Sequence, residues 1–81
     1  MPDLVSDLLA RPYRIEIAPD EDTAGGLVFV ARHPELEGCE AHGATPEEAL
    51  ANLREARELY IRVLVASGIE VSPPTIGRHV A

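Results

Sequence analysis

The residues that decide the fold run from His33 to Ala56 and read HPELEGCEAHGATPEEALANLREA. They contain a proline–glycine turn, a short alternating stretch and the start of an amphipathic helix. Thr45 can accept a hydrogen bond from the backbone N–H of Glu48, and the Glu48 side chain can reach back, as in a capping box. Pro46 suits the first helical position, where its missing N–H costs nothing. The stretch therefore predicts a turn, a strand and a helix, in that order.

The predicted helix covers residues 46–67, and Gly68 is suited to end it in a left-handed conformation. Apolar residues recur at spacings of three and four, as on the buried face of a helix. Further apolar residues widen this face in the C-terminal half, beyond what contact with one sheet requires. We expect either an N-terminal helix or a second copy of the chain to cover these residues, which are Leu59, Val63 and Ala66.

The residues before His33 predict a short helix and a hairpin. Residues 4–11 place Leu and Val on one helical face, with Asp3 as a candidate cap and Pro12 as a stop. Residues 13–18 alternate, with Tyr13, Ile15 and Ile17 on one side, as in a half-buried strand. Turn-forming residues 20–26 separate this strand from a second apolar run at 27–32.

A third strand is predicted at 39–43, where Cys39, Ala41 and Gly43 share one face and Glu40 and His42 the other. We expect the small residues of the first face to lie under the long helix. Residues 69–71 are compatible with a short final strand. We therefore expect an α+β fold: a short N-terminal helix, a three-stranded antiparallel meander, one long helix packed on the sheet, and that final strand. The prediction is a single domain at 1–74 followed by a tail at 75–81.

The size and composition predict a small cytoplasmic protein that self-associates. A chain of 81 residues buries only a thin core, and a single cysteine, Cys39, excludes an internal disulfide bond. Small domains without disulfides or metals are commonly stabilised by oligomerisation. No apolar run approaches the roughly 20 residues that span a bilayer. The acidic N-terminus lacks the basic region of a signal peptide.

The net charge is −7, and much of it lies between residues 20 and 48, where Arg32 is the one basic residue. An acidic surface repels phosphate backbones, which argues against direct nucleic-acid binding. It favours encounter with a basic protein partner. A solvated surface that only keeps the protein in solution is the alternative interpretation.

His33, Cys39 and His42 form an H-x5-C-x2-H pattern. Structural zinc sites use four ligands, and the alternation places Cys39 and His42 on opposite faces. Cys39 as a nucleophile would need a base and an orienting group, and no spacing supplies them. The acids at 20 and 22 lack the glycine and distal glutamate of an EF-hand loop. We expect no metal, no cofactor and no enzymatic activity.

Two linked motifs resemble the HicB-like antitoxin family. The first is P-x-L-x-G-C at 34–39, and the second is G-x-T-x-x-E-A at 43–49. The similarity extends over about residues 13–74 and includes the opening Tyr13-Arg14-Ile15 and the closing prolines. The chain departs from the family pattern at Ala44, where an acidic residue is common, and in its additional N-terminal helix.

The resemblance implies a partial RNase H-like fold without a working nuclease site. It implies binding and neutralisation of a small basic ribonuclease toxin of the HicA type, and assembly into dimers or tetramers. Because the chain stops seven residues after Pro74, the C-terminal DNA-binding module of many relatives is not expected. The predicted partner-binding residues are Asp20, Asp22, Glu35, Leu36, Glu37, Gly38, Glu40 and His42.

Two other functions are compatible with the sequence. One is an oligomeric adaptor that has no ribonuclease partner. The other is a residual metal-dependent ribonuclease on the RNase H-like scaffold, whose activity would depend on Asp20 or Glu40.

Overall fold

The computed structural model describes residues 4–74, with side chains described from residue 7 onward. It contains two helices and three strands in the order α1 (Leu4–Leu9), β1 (Glu16–Glu21), β2 (Leu27–Arg32), β3 (Glu40–Gly43) and α2 (Pro46–Ala66). The strands form one antiparallel sheet in the order β1-β2-β3. The predicted α+β class, with a meander and one long helix, is confirmed.

The ends of α2 follow the sequence prediction closely. The hydroxyl of Thr45 accepts a hydrogen bond from the backbone N–H of Glu48 at 3.1 Å, and Pro46 occupies the first turn. The helix ends at Ala66, and Gly68 has a φ of 70°. The N–H of Ile69 then donates to the carbonyl of Leu64 at 2.9 Å, which completes a Schellman motif.

The core lies between α2 and the β2–β3 half of the sheet. Ala31, Ala49 and Leu53 are fully buried there. Gly43 permits the close approach of helix and sheet, because a methyl group at this position would lie 2.8 Å from the carbonyl carbon of Glu48 and closer still to the amide nitrogen of Ala49. The predicted placement of the small β3 residues under the helix is therefore confirmed for Gly43.

The first strand begins three residues later than predicted. Tyr13 is buried, but the strand runs from Glu16 to Glu21. The backbone groups of Arg14 are occupied by side chains instead of a neighbouring strand: its N–H donates to Glu35 Oε2 at 3.1 Å and its carbonyl lies 2.7 Å from His33 Nδ1. The assignment of 13–18 as the strand was wrong because these long-range bonds replace the ladder.

The predicted half-burial of this strand was also wrong. Every residue of β1 is exposed, and Ile15 and Ile17 both remain more than two-fifths exposed. The reason is that α2 lies over β3 and β2 and makes little contact with β1.

The chain after α2 packs without forming a strand. Val71 is buried, and the Tyr13 hydroxyl donates to the carbonyl of Ser72 at 2.6 Å. Within residues 4–74 the sheet has only its three strands, so the short final strand at 69–71 is not formed. The first helix is also shorter than predicted, ending at Leu9. The predicted cap Asp3 and the tail 75–81 lie outside the described residues.

Candidate partner-binding face

The sheet has one face covered by α2 and one open face. Residues paired directly across antiparallel strands point to the same side, so the register separates the two faces. Ala31 pairs with Ile17 and Ala41, and this set faces α2. The alternate positions face away from the helix, and we call their surface the open face: Glu16, Ala18, Asp20, Val28, Val30, Arg32, Glu40 and His42.

The open face is acidic. Glu16 lies opposite Arg32 in the ladder, and their side chains form an exposed ion pair with 3.6 Å between Oε2 and Nε. This pairing compensates Arg32, which is the only arginine or lysine of the face. Among the side chains described, neither Asp20 nor Glu40 takes part in an ion pair. The face therefore presents uncompensated negative charge to a partner.

The structure brings three of the predicted partner-binding residues together on this face. Asp20, Glu40 and His42 line one shallow depression of about 240 Å³ with Arg32 and Val30. Two carboxylates and an imidazole thus lie around the small apolar surface of Val30. Such a surface can accept hydrogen bonds and attract cationic side chains.

A second depression, of about 430 Å³, joins the open face to the loop at 33–39. Glu37 and Gly38 are exposed on its rim, and Gly38 has a φ of 82°. The turn therefore requires glycine for its backbone conformation. Leu36 packs in the core with 1% of its surface exposed, so we no longer assign it to the partner-binding face.

Two other predicted partner-binding residues have structural roles. Asp22 organises the hairpin, because its Oδ1 accepts hydrogen bonds from the N–H groups of Ala24 and Gly26 at 2.9 and 2.7 Å. Glu35 is half-buried and holds the backbone of Arg14. The carboxylate of Asp22 still faces solvent, at the far end of the hairpin from the 33–39 loop.

His33 is buried at the start of the 33–39 loop. Its ring lies 5.9 Å from that of Tyr13, and its Nε2 has no hydrogen-bond partner among the described residues. Burial lowers the pKa of His33, and the nearby Arg57 guanidinium acts in the same direction. The neutral ring therefore donates from Nδ1 to the carbonyl of Arg14.

Cys39 and His42 do not form a common site. Cys39 is 3% exposed, and burial raises the pKa of its thiol. His42 is exposed on the open face. Within residues 4–74, no three His, Cys, Asp or Glu side chains lie where they could hold one metal ion. A thiolate nucleophile is disfavoured at Cys39, since its environment stabilises the protonated form.

The predicted self-association residues are exposed. Leu59 and Val63 present 66% and 55% of their surfaces to solvent, and Ala66 is exposed as well. The first helix does not cover them, because its buried Leu8 packs instead beside Val65 and the chain that follows α2.

Sequence reasoning missed two residues. Glu16 belongs to the open face beside Arg32, and the alternation of the first strand could have indicated it. Asn52 donates from Nδ2 to the backbone carbonyl of His42 at 2.8 Å, which ties α2 to the outer edge of β3. No local pattern signals this contact, since it joins residues ten positions apart on different elements.

Comparison with known proteins finds a relative in the UPF0150 family. The chain is 41% identical over 54 residues to the UPF0150 protein ssr1765 of Synechocystis sp., an alignment that covers 67% of this chain and 66% of that protein. The chain thus has a homologue in the UPF0150 family, and it spans slightly less than two thirds of that homologue's length. No protein-family model matches the chain, and no solved structure matches it. In the described residues, no helix is long and apolar enough to cross a membrane.

Proposed function

We propose that this protein is an antitoxin-like binding protein that neutralises a small basic ribonuclease toxin of the HicA type. The proposal combines the two linked motifs at 34–39 and 43–49 with the acidic open face. The protein acts by binding and carries out no chemistry itself. Its place of action is the cytoplasm.

The observation that carries the proposal is the charge of the open face. Asp20 and Glu40 lack ion-pair partners among the described side chains, while Arg32 is compensated by Glu16. A ribonuclease that binds RNA needs a basic surface for the phosphates. An acidic face can pair with that surface and occupy it, which would prevent RNA from binding.

The 33–39 loop supports the same interpretation. Its backbone is fixed by His33 and Glu35 on Arg14 and by the buried Leu36. A loop held in one conformation binds with a smaller entropic cost than a mobile one. Glu37 and Gly38 are thus presented on a rigid rim beside Glu40.

Co-expression with a small basic protein of the HicA type, chosen from the genes that flank the one for this chain, tests the proposal. We expect the two proteins to co-purify, and we expect the basic protein to lose its RNA cleavage activity when this chain is added in equimolar amounts. Because the attraction is electrostatic, binding should weaken as salt concentration rises. Separate elution together with unchanged RNA cleavage would contradict the proposal.

The experiment also separates the two other functions. RNA cleavage by this chain alone, dependent on a divalent metal and lost on Asp20→Asn, would indicate a residual nuclease. A stable oligomer that neither binds nor inhibits the neighbouring protein would indicate an adaptor. Either result would contradict the antitoxin proposal.

A further inference from the structure

In the sheet formed by residues 4–74, β3 is an edge strand with unpaired backbone groups beside an exposed apolar face of α2. The N–H of His33 donates to the carbonyl of Cys39 at 3.2 Å, in register with the β2–β3 pairs. Bonded pairs recur at every second residue of an antiparallel ladder, so Ala41 and Gly43 bond to β2. The backbone groups of Glu40 and His42 point to the free edge.

The hydrogen bond from Asn52 is consistent with this assignment. Its Nδ2 donates to the carbonyl of His42, which could not occur if that carbonyl faced β2. A carbonyl oxygen accepts two hydrogen bonds, so the bond from Asn52 leaves one acceptor position. The N–H of His42 and both backbone groups of Glu40 are without partners in the described ladder.

An apolar groove of about 360 Å³ runs along this edge, between the start of β3 and the C-terminal half of α2. Ala56, Leu59 and Val63 follow Asn52 at alternating spacings of four and three residues, and Ala66 continues the series. This spacing is that of a helix–helix seam. Cys39 forms part of the groove wall.

We propose that a second copy of this chain binds this edge, with β3 pairing antiparallel to its counterpart about a two-fold axis through Ala41. The charges select this register. It places Glu40 opposite His42 of the second copy, a carboxylate against an imidazole, twice per dimer. Registers centred on Glu40 or on His42 would oppose like groups, which is unfavourable in cross-strand pairs.

The side chains on the helix-facing side suit the same arrangement. Ala41 would meet its own counterpart, and Cys39 would lie opposite Gly43, so no bulky side chain separates the two sheets. The two copies of α2 then lie antiparallel on the same side of a six-stranded sheet. Leu59 and Val63 of each copy then face an earlier part of α2 in the other copy, which buries the apolar surface that α1 leaves exposed.

Sedimentation velocity of the full chain over a range of concentrations tests the proposal. We expect a monomer–dimer equilibrium, and a monomer at all concentrations would overturn it. Leu59→Gln should weaken the dimer about tenfold or more, since each dimer loses two buried leucines. Leu27→Gln is the matched control, because Leu27 is 65% exposed against 66% for Leu59 but lies at the hairpin. Equal weakening by both substitutions would overturn the assignment.

Charge exchange tests the register. His42→Glu places two glutamates opposite each other and should dissociate the dimer. Glu40→Lys combined with His42→Glu restores unlike pairs only in the register centred on Ala41, so the double variant should recover dimerisation. Failure of the double variant to recover, with a wild-type circular dichroism spectrum, would overturn this register.

Disulfide trapping provides a measurement that does not depend on weakening the dimer. In a Cys39→Ala chain, Ala41→Cys should form an intermolecular disulfide rapidly on mild oxidation, because its counterpart would lie within disulfide range. Ala18→Cys, on the exposed β1 strand, is the control. Equal rates for the two variants would overturn the proposal. This inference does not rest on the proposed function, since no toxin takes part in any of the three experiments.

Discussion

The Nδ1 atom of His33 lies 2.7 Å from the backbone carbonyl of Arg14, while Glu35 Oε2 accepts from the N–H of the same residue. Two side chains of one loop thus occupy both backbone groups of a residue on a distant segment. This clamp fixes the loop that carries Glu37 and Gly38 against the start of β1. The rigidity of the candidate partner-binding face depends on it.

The burial of His33 predicts that the stability of the protein depends on pH. The pKa of His33 is lowered below its usual value of 6.5 by burial, so between the two values the unfolded chain binds more protons than the folded one. The free energy of unfolding should therefore fall as the pH drops from 7 through 6.5 to the folded-state pKa. Thermal unfolding of the wild type and of His33→Asn, which keeps a short donor but cannot titrate, measures this effect.

We expect the wild type to lose more stability than His33→Asn over this pH range. The two proteins differ only at residue 33, so the contributions of all other residues cancel in the comparison. Parallel pH profiles of the melting temperature would show that His33 is not buried in a neutral state.

Cys39 should be unreactive in the folded protein. Its thiol is 3% exposed and burial raises its pKa, so both access and the thiolate fraction are low. Iodoacetamide should modify the native chain far more slowly than the chain in denaturant. Comparable rates in the two conditions would contradict the assignment of Cys39 to the core.

Gly43→Ala should destabilise the fold through a backbone collision. The added methyl group meets the backbone of Glu48 and Ala49 at the start of α2, and overpacking of this kind costs about 1–3 kcal/mol. Chemical denaturation measures the loss. Thr23→Ala is the control, because Thr23 is an exposed residue of the hairpin turn, away from the contact between α2 and β3.

If the two alanine variants unfold at the same denaturant concentration, α2 does not approach β3 as closely as the structure shows. If Gly43→Ala alone is destabilised, the close approach is confirmed.

The parts of the fold that local chemistry determines could be predicted from sequence. Thr45, Pro46 and Gly68 mark the ends of α2 through caps and backbone preferences that act within a few residues. The small residues of β3 similarly indicated where the helix would lie. These signals are contained in the segment that they describe.

The remaining features depend on contacts between distant segments. The first strand starts at Glu16 because His33 and Glu35 bind the backbone of Arg14, and no pattern in residues 13–18 reveals those bonds. Leu36 sits in a turn with flanking glutamates, which suggested a surface position, yet the turn folds it into the core. The sequence shows that residues 20–48 are acidic. Only the register of β1 and β2 shows that Glu16 lies opposite Arg32 and compensates its charge.

The central claim is that the open face, together with Glu37 of the 33–39 loop, binds a basic ribonuclease. The affinity for a flanking-gene protein of the small basic HicA type, measured by isothermal titration calorimetry, tests the claim through matched variants. Asp20→Asn with Glu37→Gln removes two charges from the face and its rim, and neither residue is part of the proposed dimer contact. Glu55→Gln with Glu70→Gln removes two charges from exposed positions elsewhere.

We predict that the first pair of substitutions weakens binding about tenfold or more and reduces its salt dependence, because close charge pairs at interfaces contribute on the order of 1.5 kcal/mol or more. The second pair should leave the affinity within about twofold of wild type, since exposed charges outside a contact contribute little. Equal affinities for both variants, or no measurable binding by the wild-type chain, would contradict the account.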